Sequence, residues 1–126
     1  MRIGRAVVGL AVFAILALRA ESEAPAADAK GSYNIRGIGI ITCSRYLQDR
    51  SLKKDTSAYI NWLMGYITAY NSLKPDTWEI APHYDSPQLS KYLDLYCGAA
   101  PKTLINTAAT EFIKAMYTKR QKSSKK

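Results

Sequence analysis

Ligand and catalytic chemistry is thin in this sequence. There is one histidine, His83, and there are two cysteines, Cys43 and Cys97, in 126 residues. No His or Cys cluster has metal-ligand spacing, so no metal site is expected. Glycine motifs that cradle phosphate are absent. The carboxylates are scattered, and only Asp28 and the pair Asp76/Glu79 fall in polar, flexible segments. Chain spacing does not report a carboxylate pair assembled in space, but nothing here points to one. The expectation is a protein that is not an enzyme and has no cofactor and no catalytic residue. Charge is missing where it is most informative: between Asp55 and Lys74 no residue is ionisable to a full charge at neutral pH.

The formal charge of +8 does not mark a nucleic-acid binder. Five of the cations lie in the final stretch KRQKSSKK, whereas the aromatics lie on uncharged segments. Binding to nucleic acid requires aromatic and basic residues interleaved on one surface, so that partner is not expected. Residues 118–126 read as a basic, disordered tail. Its functional reading is attraction to an anionic membrane surface or to acidic envelope polymers.

The N-terminus has the build of an export signal. Arg2 and Arg5 precede an uncharged apolar stretch over 6–18, and small residues follow at Ala20 and at Ala24-Pro25-Ala26. A signal peptide over 1–26, with cleavage near 20–26, is expected, and hence a periplasmic or secreted location. The stretch is short for a bilayer span; an uncleaved anchor is the alternative. In an oxidising compartment Cys43 and Cys97 have one intramolecular pairing open to them, the alternatives being free thiols or an intermolecular bridge. An internal bridge would close a loop of about 55 residues, worth ~4 kcal/mol in the chain-entropy model.

Periodicity then gives an all-α chain. Residues 27–37 read as a flexible arm and 38–117 as one helical domain. The stretch IRGIGII is an extended lead-in that packs Ile40 and Ile41 on the core. Thr42 N-caps a short helix, CSRYLQD. A long helix runs over 56–73, with Tyr59, Ile60, Leu63, Met64, Tyr66, Ile67 and Tyr70 on one arc and Trp62 at its edge. Asn61, Gly65, Thr68 and Ser72 gather on the other side. A helix of this length without charge should be covered on most sides, by the bundle or by a partner. The small Gly65 ridge suits close approach of another helix, from the same chain or a partner. The loop KPDTWEIAPHYDSP carries Trp78, His83 and Tyr84. Ser86 reads as the N-cap of a third helix with Pro87 at its first position, stopped by Gly98, and Pro101 opens the fourth. The fold expected is a small four-helix bundle with a disulfide between the first and third helices.

The nine tyrosines are many for this size, and Tyr is enriched at interfaces because it offers area at low entropy cost. They equally suit a small core whose hydroxyls reach a wet edge. The candidate contact residues are Asn61, Trp62, Gly65, Tyr66, Thr68, Trp78 and Tyr84, with other proteins as partners and a homodimer as one form.

The combination of Thr42-Cys43 with Tyr46-Leu47, the 62–66 stretch around Gly65, and Tyr92-Leu93 followed by Tyr96-Cys97 and Pro101 resembles the HdeA/HdeB-type periplasmic proteins of proteobacteria. The resemblance covers roughly 38–117. It implies a helical domain with Cys43 and Cys97 bridged, and a chaperone that holds envelope proteins in acid or envelope stress. It also implies that acid loosens a dimer and that the face of 56–73 is the dimer or client surface. Protonating the carboxylates and His83 would take residues 27–126 from +7 to about +16, which favours solubility in acid. In size, export and helical layout the chain is also similar to the Rap/Tai-type immunity proteins, which generally carry more cysteines. That resemblance implies one specific partner.

Overall fold

The computed structural model describes residues 27–124. The expected signal segment over 1–26 and the last two lysines lie outside the described residues. The chain divides into two units at Tyr33/Asn34. In the first, Asp28 organises a turn, its carboxylate accepting from the backbone N–H of Lys30 at 2.9 Å and of Ser32 at 2.8 Å. Gly31 supplies the left-handed conformation that turn requires, with φ 77°.

The second unit holds four helices: α1 over Cys43–Ser51, α2 over Ser57–Leu73, α3 over Ser86–Ala99 and α4 over Ile105–Met116. Short 3-10 turns occupy Gly37–Ile40 and Tyr117–Lys119. Among the described residues there is no strand, only isolated bridges between Thr42 and Leu104 and between Glu79 and Gln121. The Cys43–Cys97 disulfide joins α1 to α3, as expected. Tyr46, Leu63, Ile80, Leu89, Leu93, Ile105 and Phe112 fill the core around it, all essentially solvent-free. Burying such side chains contributes about 1.5–3 kcal/mol each.

The lead-in differs from the extended segment expected. A 3-10 turn has three residues per turn, so Ile38 and Ile41 share a side and pack on the core, while Ile40 points outward and is 55% exposed. Gly39 is buried beneath Trp62, where a Cβ would meet the indole and come within 2.7 Å of the Ile35 side chain. The Trp62 indole N–H donates to the Arg36 carbonyl at 3.0 Å, which fastens the lead-in to α2.

Thr42 caps α1 as expected, its hydroxyl accepting from the Arg45 N–H at 3.3 Å. The N–H groups at the start of α1 have no partner inside the helix. Cys43 donates to the Thr103 carbonyl and Ser44 to the Pro101 carbonyl, both at 2.8 Å. This explains why α4 begins at Ile105 and not at Pro101: the Pro101 and Thr103 carbonyls are turned towards α1. The α3 N-cap is Asp85, not Ser86. Asp85 and Gln88 form a reciprocal capping box with both bonds at 3.2 Å, and Pro87 sits in the first turn. Gly98 lies inside α3, which ends at Ala99.

The loop after α2 is pinned to the bundle. The Asn71 side chain accepts from the Ile80 N–H at 2.9 Å and donates to the Glu79 carboxylate at 3.1 Å, which plugs Ile80 and Ala81 into the core. The Gln121 N–H donates to the Glu79 carbonyl at 2.8 Å, and the Gln121 carbonyl accepts from Trp78 and Glu79. The first residues of the basic stretch, expected to be disordered, are therefore paired with this loop. Backbone groups make the Gln121 bonds, and the Arg120 guanidinium adds a bond to the Asp76 carbonyl, so the positive charge does not prevent pairing.

Candidate functional site

One side of α2 packs on the bundle and the other is open. Tyr59, Ile60, Leu63 and Ile67 are buried, and Trp62, Tyr66 and Tyr70 are half-buried at the border. Asn61, Met64, Gly65, Thr68, Ala69, Ser72 and Leu73 are exposed, and none is charged. No atom of another element comes within 4 Å of where a Cβ on Gly65 would stand. Among the described residues no other helix therefore approaches the glycine, so the close approach expected there is not made within residues 27–124. The helix is also less covered than its composition suggests.

Beside this face lies a groove of about 180 Å³ between α2 and the loop. Met64, Thr68 and Asn71 form the α2 wall, Glu79 and Tyr84 the loop wall, and Ile67, Ala81 and Leu89 the floor. Tyr84 is braced from behind, its ring edge-on to Phe112 with centroids 5.0 Å apart. The Ser86 hydroxyl lies 3.7 Å from the Met64 sulfur across the mouth. The groove is thus mixed in character, with Thr68, Asn71 and Glu79 polar and Met64, Ile67, Ala81 and Leu89 apolar. A neighbouring recess of about 290 Å³ includes His83 and Asp85. Among the described residues, no three His, Cys, Asp or Glu side chains are grouped as metal ligands.

The seven candidate contact residues separate into four sets, with Thr68 in two of them. Asn61, Gly65 and Thr68 share the open face, and Thr68 and Tyr84 meet at the groove. Trp62 and Tyr66 are engaged within the chain: the indole is bonded to the lead-in, and the two rings stack with centroids 5.5 Å apart. Trp78 stands off the loop, 58% exposed, next to the bridge with Gln121.

Two carboxylates that the sequence did not mark hold the helices against one another. Asp49 of α1 is buried and accepts from the Tyr59 hydroxyl of α2 at 2.8 Å, with Arg45 and Lys54 both 3.3 Å away. The Tyr59 hydrogen bond holds the Asp49 pKa below the ordinary carboxylate range; desolvation opposes this, and Lys54 and Arg45 reinforce it. Asp94 of α3 accepts from the Tyr46 hydroxyl at 2.7 Å and takes both arms of Arg50, at 2.9 and 2.6 Å. Burial works against its ionisation, but the Arg50 and Tyr46 bonds outweigh burial and its pKa is also lowered. Both tyrosines respond in the other direction: burial first, then the facing carboxylate, pushes Tyr46 and Tyr59 up to about 12. Asp49 was detectable in principle, because it falls on the same face of α1 as Cys43 and Tyr46. Asp94 carries no comparable signal.

No helix of the described residues is long and apolar enough to cross a membrane. Comparison with protein-family models, with curated proteins and with solved structures finds no match to this chain.

Proposed function

We propose that this chain is an exported helical binding protein of the HdeA-like periplasmic chaperone kind, which holds other proteins through the open face of α2 during acid stress. The observation that carries the reading is a 17-residue helix without a charge whose outer side is exposed among the described residues. A face without charge costs little to desolvate when another protein covers it.

The two carboxylate clasps supply the acid response. Their pKa values are lowered in the fold, so the stability they contribute is fully present above the ordinary carboxylate value. It is lost as pH falls through the depressed folded values. The opening window therefore lies below about pH 4. Protonation frees α1 from Tyr59 and releases Arg50 from Asp94, while the disulfide keeps α1 tethered to α3. The loosened domain then exposes Ile60, Leu63 and Ile67 next to the face already open. Clients that unfold at the same pH meet a cationic, soluble protein with apolar surface.

The test is suppression of aggregation. The purified protein should keep an unrelated acid-sensitive envelope protein in solution at about pH 2–3 and have little effect at pH 7. Absence of protection at every pH below 4 rejects the reading.

A second reading is favoured by the groove and by Trp78. A groove of mixed polarity, together with an exposed indole on the loop that forms one of its walls, suits a single specific partner at neutral pH, such as a secreted toxin or a subunit of an envelope complex. It predicts one stoichiometric partner at pH 7, captured less well by Trp78→Ala or Tyr84→Ala. A capture profile identical to a bait-free control argues against it.

A further inference from the structure

The bridge between Glu79 and Gln121 joins two features that lie far apart in the chain. It sets the exposed Trp78 beside the backbone of the basic stretch, with the Trp78 N–H donating to the Gln121 carbonyl at 2.8 Å. The Arg120 guanidinium lies over the Tyr117 ring, 4.0 Å from its centroid, and donates to the carbonyls of Asp76 and Tyr117. Lys74 reaches the same ring at 5.8 Å from the α2 end. Its neighbour Leu73 is 82% exposed. One end of the bundle therefore presents an indole, a leucine and a phenol ring among cations. Residues 117–126 contain five cations and no carboxylate. Asp76 and Glu79 are the opposing charges from the loop, and Glu79 is bonded inward to Asn71 and to the Ala81 N–H.

We propose that this end of the molecule docks on an anionic bilayer surface. The lysines and arginine would lie at headgroup level, and Trp78 and Leu73 would enter the boundary with the acyl chains. Charge complementarity sets the sign of the surface, because a cationic patch gains from anionic headgroups. The exposed apolar side chains select a bilayer over a soluble polyanion. Trp and Tyr beside Lys and Arg are the residues that sit at a membrane–water boundary, and a dissolved polyanion gives Trp78 and Leu73 nothing to enter. Leu73 is shared with the open side of α2, but Gly65 lies eight residues earlier, about 12 Å along the helix, and is not part of this surface.

The test uses vesicles of phosphatidylcholine with roughly 30 mol% phosphatidylglycerol, and of phosphatidylcholine alone. Brominated acyl chains in both serve to quench tryptophan. All proteins are full chains, so the N-terminal apolar segment is the same in every arm. Quenching is expected with the anionic vesicles and not with the neutral ones, and it should vanish in Trp78→Ala, because Trp62 is packed on Gly39 and bonded to the Arg36 carbonyl of the lead-in. The triple variant Lys119→Gln, Arg120→Gln, Lys122→Gln should bind the anionic vesicles on the order of a hundredfold more weakly, each cation near such a surface contributing about fivefold. Equal quenching with both vesicle types, quenching that persists in Trp78→Ala, or undiminished binding by the triple variant would each overturn the proposal. So would binding to soluble polyphosphate without binding to vesicles.

Discussion

Replacing Asp94 tests the clasp between α1 and α3. The carboxylate takes a 2.7 Å hydrogen bond from Tyr46, whose ring is fully buried, and a two-armed contact from Arg50. Hydrogen bonds to a charged group contribute roughly 1.5–3 kcal/mol. The Arg50–Asp94 side chains are 43% and 36% exposed, so their ionic attraction is screened and falls in the range of about 0.2–1 kcal/mol. Together these give a loss of about 2–3 kcal/mol for Asp94→Ala at pH 7, or roughly 10–20 °C in melting temperature for a domain of this size. Asp94→Asn keeps an acceptor for the Tyr46 hydroxyl and should lose about half as much. The pH dependence is the sharper part of the test. Because the Asp94 pKa is lowered, the wild-type advantage is complete above the ordinary carboxylate value. It shrinks as pH falls below about 4. Urea denaturation followed by circular dichroism at neutral pH and at about pH 2.5 measures both quantities. A loss below about 0.5 kcal/mol at neutral pH would refute the reasoning, and so would an advantage over Asp94→Asn that persists unchanged in acid.

Gly39→Ala should destabilise by about 1–3 kcal/mol, because the new methyl runs into Trp62 and Ile35; chemical denaturation and the Trp62 fluorescence should change together. Gly65→Leu should leave the fold intact, or stabilise α2 by up to about 1 kcal/mol through helix propensity, yet weaken client holding or partner capture severalfold. Stability and binding measured on the same sample separate those two effects. Replacing Cys43 and Cys97 together by serine should cost about 4 kcal/mol at neutral pH and in acid alike, so the variant should unfold at a higher pH than the wild type in an acid titration followed by circular dichroism.

Elements governed by local chemistry were legible in the sequence. Thr42 announces α1, the charge-free run marks α2 nearly to its ends, and Cys43 and Cys97 form the one intramolecular pair that two cysteines allow. Residues governed by distant partners were not. Pro101 looks like a helix start until its carbonyl is seen to accept from Ser44, 57 positions earlier in the chain. Gln121 looks like part of a solvated tail until its backbone pairs with Glu79. The misplaced α3 cap is a different kind of error: Asp85 followed three residues later by Gln88 is a capping-box signature, and it was present locally. At the candidate site, Gly65, Asn61 and Thr68 were placed by helical phase alone. The groove wall of Asn71 and Glu79, and the clasps at Asp49 and Asp94, depend on tertiary packing that no periodicity encodes. Trp62 illustrates the converse. Its size and its position at the edge of the stripe suggest a contact residue, and what it contacts is its own lead-in.

The central claim is that the uncharged face of α2 is where other proteins are held. A photocrosslinking residue placed at Gly65 and, separately, at Lys91 on the exposed side of α3 tests it directly, with an acid-unfolded client present at pH 3 and at pH 7. The account predicts client adducts from position 65 at pH 3 and few from position 91 at either pH. Equal adducts from the two positions, or none from position 65 in acid, would contradict it.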